Sequence, residues 1–157
     1  MAIELVKDYF KEFGMENKIQ EYEASSATVE LAAVALNVEP GRIAKTLSFK
    51  IENGCILIVA AGDTKIDNVK FKRLFEVKAK MLSQEEVLEQ VGHAVGGVCP
   101  FGIRPNINVY LDESLKRFET VFPACGSSNS AIELTCEELF TFAKAVKWID
   151  VCKGWTI

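Results

Sequence analysis

Lys45 and one seven-residue segment, Gly96-Gly97-Val98-Cys99-Pro100-Phe101-Gly102, are the parts of this 157-residue chain best suited to chemistry. Three glycines and a proline so close together exclude an ordinary helix or central strand. Glycine lets the backbone come close to a ligand and reach positive φ, and proline stiffens the exit. Such a loop offers bare N–H groups that can hold a carbonyl oxygen as it takes up negative charge. Val98 and Phe101 make the loop apolar enough to wall a small pocket. The plain alternative is a turn without further role. Lys45 opens an expected strand in which Lys45, Leu47, Phe49 and Ile51 share one face, and Thr46, Ser48 and Lys50 the other. An ammonium beside an apolar face is costly unless something pairs with it. Either it runs past the strand end into water, or it meets a phosphate, carboxylate or carbonyl of a ligand.

Other chemistries are thinly supported. His93 is the single histidine, which excludes a histidine-rich zinc site and leaves a serine triad one base at most. Cys99 with His93 as base makes a rival cysteine nucleophile, against a plain core role for both. No Gly-Lys-Ser/Thr phosphate loop is present, and Gly96-Gly97 does not complete a dinucleotide fingerprint. Neither a metal nor a cofactor is expected.

The elements that must position these residues follow from periodicity and capping. Ile3, Val6, Phe10 and Phe13 predict an amphipathic helix ending near Gly14. A short strand is expected at 19–23. Thr28 caps a second helix that ends near Asn37. The strand at 45–51 turns at Asn53-Gly54 into a strand at 55–61 that is buried on both faces. Asp67 caps a helix through Phe75, and the alternation of Val77, Ala79 and Met81 predicts a strand. Ser83 with Glu86 forms a capping box for a helix stopping near Gly92. Beyond the glycine loop, strands are expected at 107–111, 121–124, 132–134 and 148–151. A second capping box, Thr135 with Glu138, opens a helix reaching about Val146. The mixture predicts one α+β domain over 1–157.

Composition is that of a soluble globular protein, 49% hydrophobic and 25% charged. No apolar run approaches the ~20 residues that cross a bilayer, and no signal pattern opens the chain. Five cysteines without metal spacing suit a reducing, cytoplasmic setting. The net charge of −4 argues against a general nucleic-acid binder. One stretch runs the other way: Lys65, Lys70, Lys72, Arg73, Lys78 and Lys80 outnumber Asp63, Asp67 and Glu76. It is either a solvated helix face or a patch that tracks phosphates.

Arg42-Ile43-Ala44-Lys45-Thr46-Leu47, the glycine loop and Ala131-Ile132-Glu133-Leu134, in this order and spacing, resemble the YbaK/ProX family. That family comprises free-standing aminoacyl-tRNA deacylases and the editing insertion of bacterial prolyl-tRNA synthetases. The resemblance runs from about Thr28 to Leu139. It implies a single α+β domain with a curved mixed β-sheet flanked by helices. It also implies hydrolysis of the ester joining a wrong small amino acid to a tRNA, typically the tRNA for proline. Alanine or cysteine is the expected residue, with serine third. The family's lysine carries over to Lys45, and its Gly-x-x-x-Pro loop to Gly96 and Pro100 with Gly97 between. Thr46, Val98, Cys99, Phe101, Gly102, Ser128, Asn129 and Ser130 are the expected substrate contacts. Lys65, Lys70, Lys72 and Arg73 are the expected contacts to the tRNA acceptor end. A prolyl-tRNA synthetase is an implied partner, and the chain is expected as monomer or dimer with no membrane attachment. Cysteine-specific members carry an aspartate where this chain has Ala131. The competing reading is a non-catalytic tRNA-binding, nucleotide-binding or regulatory module of the same fold.

Overall fold

Strand β2, Ile43–Ile51, is the element on which the molecule is organised. The computed structural model describes residues 2–23 and 28–156. A hairpin joins β2 to strand β3, Gly54–Ala61, with Ile51 opposite Gly54 and Ala44 opposite Ala61. The turn residues are Glu52 and Asn53, and Gly54, at φ 142°, takes the left-handed side of the turn.

A six-stranded mixed sheet grows from this hairpin. On the β3 side, β5 (Asn108–Asp112) and then β9 (Lys147–Ile149) add in parallel. On the β2 side, β6 (Thr120–Pro123) adds in parallel but touches only Ile43 and Ala44, and β8 (Leu134–Thr135) closes the edge. Two small antiparallel pairs complete the strands: β1 (Ile19–Glu21) with β7 (Ser130–Ile132), and β4 (Lys65–Ile66) with β10 (Cys152–Lys153). Every residue of β3 after Gly54 is buried, as expected for a strand covered on both faces.

Among the described residues five α-helices cover the sheet: α1 (Ala2–Lys11), α2 (Val29–Leu36), α3 (Asn68–Phe75), α4 (Gln84–Gln90) and α5 (Cys136–Phe142). The predicted caps are in place. Thr28 accepts from the Leu31 N–H, Asp67 accepts from Val69 and Lys70, and both capping boxes are closed. The Glu86 carboxylate is held down to about 2, chiefly by the Ser83 N–H and next by Lys50. Helix α1 packs through Val6 and Phe10, with Phe10 meeting Phe101 at 4.7 Å and Phe142 at 5.4 Å between ring centroids. None of the described helices is long and apolar enough to cross a membrane.

Three expectations are corrected. The segment 77–81 forms no strand: only Met81 bridges Phe49, with bonds from Lys50 N to Lys80 O and from Leu82 N to Ser48 O. The 132–134 strand is two strands, because Ile132 pairs with Ile19 whereas Leu134 pairs with Val121. Helix α5 stops at Phe142 rather than near Val146, where Lys144 turns left-handed at φ 52°.

A candidate functional site at the open edge of strand β2

The register of the hairpin fixes which backbone groups remain free. With Ile51 opposite Gly54 across a two-residue turn, Lys45, Leu47, Phe49 and Ile51 turn their N–H and C=O groups toward β3. Ala44, Thr46, Ser48 and Lys50 turn theirs away from it. Ala44 meets β6, while Ser48 and Lys50 meet the 80–82 segment. Thr46 falls in the gap between these two partners.

A cavity of about 300 Å3 occupies that gap. Ala44, Lys45, Thr46, Leu47 and Ser48 all line it. Consecutive strand residues point to opposite faces, so a cavity touched by five in a row wraps around the strand edge. Its far walls come from Met81, Leu82 and Val87 of the α4 region, from Val95, Gly96 and Val98, and from Phe122, Ser130 and Ala131. The Thr46 hydroxyl oxygen is buried there with no hydrogen-bond partner among the described residues. Such a group is costly to leave unpaired.

Lys45 lies on the face the alternation predicts: Leu47, Phe49 and Ile51 pack in one cluster with Ile58, Ala60 and Phe71. Its ammonium neither runs into water nor sits bare. It donates to the Thr64 carbonyl, and burial lowers its pKa, opposed by Cys152, Asp63 and Glu30.

The glycine loop divides in two. Gly96, at φ 97°, and Val98 line the cavity. Among the described residues no backbone carbonyl takes the N–H of either. Gly97 does not offer its N–H, contrary to expectation: it donates to Ala94 O at 3.0 Å, while its carbonyl accepts from Gly126. Gly97 is glycine for closeness, because a Cβ there would meet Ser127 N at 2.6 Å and Gly126 C at 2.7 Å. Pro100 is buried and off the cavity. Cys99, Phe101 and Gly102, expected at the substrate, serve the core instead. Cys99 and Phe101 have no exposed surface, and Gly102 packs on the Leu5 carbonyl.

The structure does bring Cys99 to His93, with Sγ 3.5 Å from Nε2. Both are entirely buried. With Nε2 2.7 Å from the Phe101 carbonyl, that nitrogen must carry the proton and cannot take one from the thiol. Burial pushes the Cys99 thiol up to about 12 and the imidazole down. This pair is a core feature, not a nucleophile with its base.

Of the serine-rich turn, Ser130 lines the cavity and is held by the Ser127 hydroxyl at 2.7 Å. Asn129 reaches the cavity only through Tyr22, whose carbonyl it bonds at 2.9 Å. Ser128 lies outside the lining. Among the basic residues, Lys65 is close enough to act on the Lys45 charge. Lys70 is tied to Asp150 at 2.9 Å and to Cys152 O. Lys72 and Arg73 line a separate shallow depression with Asn68, Val69, Lys78 and Ala79. Sequence reasoning missed Tyr22, Ser48, Met81, Leu82 and Val87 as cavity residues. Only the Thr46/Ser48 alternation carried a signal; the rest depends on distant segments meeting.

The family described as the aminoacyl-tRNA editing domain matches residues 23–142. The protein YwhH of Bacillus subtilis (strain 168) is 58% identical over 156 residues, 99% of each chain. A proline--tRNA ligase of Bacillus velezensis is 31% identical over 90 residues, which are 57% of this chain and 16% of the ligase. A solved structure described as a candidate trans-editing enzyme for prolyl tRNA synthetase superposes with a TM-score of 0.88 at 32% identity, covering 98% of both chains. An editing-domain match over most of the chain, together with that shared α+β architecture, places this protein in the aminoacyl-tRNA editing domain family.

Proposed function

We propose that this chain, acting over 1–157 as one unit, is a trans-acting deacylase that removes a small wrong amino acid from tRNA. The observation that carries the reading is the cavity on the free edge of β2, where Lys45, Thr46 and Gly96 line one hollow. An aminoacyl ester is already activated, so a strong protein nucleophile is not required. Positioning a water and stabilising the developing oxyanion suffice. In this reading the N–H groups of Gly96 and Val98 receive the ester carbonyl. The Lys45 ammonium, with one donor on Thr64, directs the others to the carbonyl region or the terminal phosphate. The Thr46 hydroxyl supplies a further polar contact. Water is the nucleophile, guided by the ribose hydroxyl as the family resemblance implies.

Selection is by size. Leu82, Val87, Val98 and Ala131 are apolar walls, and a pocket of this kind separates substrates by about 1–3 kcal/mol per methylene. Alanine, cysteine or serine attached to the tRNA for proline is the proposed substrate. The tRNA acceptor end is the partner, entering past Lys65, with Lys72 and Arg73 as outer phosphate contacts and Lys70 held back by its ion pair. A prolyl-tRNA synthetase is the proposed further partner, and the cytoplasm the proposed site of action.

The test is release of labelled amino acid from alanyl-, cysteinyl-, seryl- and prolyl-tRNA bearing the proline anticodon. The expected result is turnover of at least one of the first three and sparing of the last. Binding of all four with hydrolysis of none would instead identify a non-catalytic tRNA-binding module.

A further inference from the structure

The turn after β3, residues 61–64, is fastened at several points to the short helical turn Glu113–Arg117. The Ala61 N–H donates to Ser114 Oγ at 3.2 Å; within the turn itself, Thr64 Oγ1 donates to the Ala61 carbonyl at 2.7 Å. Arg117 makes the strongest link. Its two Nη atoms donate to the two carboxylate oxygens of Asp63 at 2.9 and 2.6 Å, and its Nε donates to Ser114 O at 2.8 Å. The guanidinium also lies over the rings of Phe118 and Trp155, at 4.8 and 5.2 Å. Its side chain is 12% exposed. Gly41 leaves room for the assembly, since a Cβ there would meet Phe118 at 2.7 Å and Asp63 at 3.1 Å. This much order around one surface carboxylate is more than an ordinary ion pair needs.

The turn so fastened is the one whose Thr64 carbonyl holds the Lys45 ammonium. Asp63 is adjacent, and its charge and that of Lys45 act on each other. A free carboxylate at this place competes with any anionic or carbonyl ligand for the lysine. We infer that Arg117 is a positioning residue for Lys45: by occupying both oxygens of Asp63 it keeps that carboxylate from capturing the ammonium and leaves ammonium donors for the ligand in the cavity. The inference rests on the reading of Lys45 given above and deepens it. The other groups acting on Lys45 are Glu30 of α2, Cys152 of β10 and Lys65 of β4.

The experiment is NMR titration of the Lys45 ammonium in the full chain, labelled at lysine and assigned with Lys45→Arg, alongside deacylation of mischarged tRNA. In Arg117→Gln, Asp63 is released, the Lys45 pKa rises, and deacylation falls about 10-fold, as expected when a charge-assisted hydrogen bond is diverted. Adding Asp63→Asn to that variant returns the Lys45 pKa to or below its starting point and restores deacylation to within about 3-fold. A purely structural role for Arg117 gives no such rescue. Asp63→Asn alone serves if Arg117→Gln does not fold: it lowers the Lys45 pKa with deacylation changed by less than about 3-fold. An unmoved Lys45 titration in these variants, or a double variant as impaired as Arg117→Gln, overturns the inference. If the titration moves as described but Lys45→Ala deacylates like the parent, the role given to Lys45 fails and that of Arg117 with it, while the Arg117–Asp63 electrostatics stand.

Discussion

Two places among the described residues bring reactive side chains together, and they differ in access and in the protonation their surroundings allow. At the β2 edge, Lys45 and Thr46 face a hollow of about 300 Å3, with a hydroxyl unpartnered among the described residues and, beyond it, two N–H groups that no described backbone carbonyl takes. At the other end of the glycine loop, Cys99 and His93 touch but have no exposed surface, and the thiol is pushed up to about 12. By residue type alone the second pair looks the more catalytic. Access and protonation reverse that order: a thiol that cannot ionise and cannot be reached is packing material. Proximity of the right residue types is therefore weak evidence, and an unfilled hydrogen-bonding capacity beside an open volume is stronger.

The largest effect expected within this comparison is structural. Gly97→Val drives a side chain into the Gly126–Ser127 backbone that both regions share. Overpacking of this kind costs roughly 1–3 kcal/mol or more, read as a fall in the urea midpoint, with loss of deacylation as the cavity wall shifts. An unchanged midpoint would show that the two loops separate freely. Next is the pH dependence of the buried pair. Burial holds the His93 pKa below its ordinary 6.5, so the unfolded chain binds a proton that the folded chain refuses. Stability is then intact above that ordinary value and is lost as pH falls below it, by at most about 1.4 kcal/mol per pH unit for one proton. Urea unfolding at pH 7.5 and 5.5 should show this fall, and His93→Gln, which keeps a donor for Phe101, should flatten it.

Smaller effects sharpen the cavity side. Thr46→Val removes a buried hydroxyl that has no partner among the described residues. Stability should stay level or rise by about 1 kcal/mol, while deacylation falls; a clear loss of stability would mean the hydroxyl is satisfied in the folded protein. The smallest effect belongs to the outer basic depression. Lys72→Ala with Arg73→Ala should raise KM about 2- to 5-fold at low salt with kcat unchanged, and the difference should fade as salt is added.

How far the sequence was legible depends on how local each decision is. Thr28, Asp67, Ser83 and Thr135 cap their helices as the sequence predicts, since a cap is decided within four residues. The β2–β3 hairpin follows from alternation and the nearby turn signal, but its register does not: the turn residues are Glu52 and Asn53 rather than Asn53 and Gly54, and Ile51 lies opposite Gly54. Nor does the division of Ile132 from Leu134 follow, because each pairs with a strand over a hundred or about a dozen residues away. The site shows the same split. Lys45, Thr46, Gly96, Val98 and Ser130 are expected on the sequence and are brought to one cavity. Phe101 and Gly102 have the same local signal as Gly96, yet α1 arrives from the far end of the chain and claims them through Phe10 and Leu5, while Cys99 is buried against His93. Nothing within the loop announces where the cavity ends and the core begins.

The most direct measurement is the single-turnover rate of ester cleavage on a mischarged tRNA by Lys45→Ala and Cys99→Ala side by side, each checked for folding by circular dichroism. Lys45→Ala is expected to lose about 100-fold or more while Cys99→Ala stays within about 3-fold of the parent. Loss in Cys99→Ala with retention in Lys45→Ala would contradict it and move the chemistry to the buried pair.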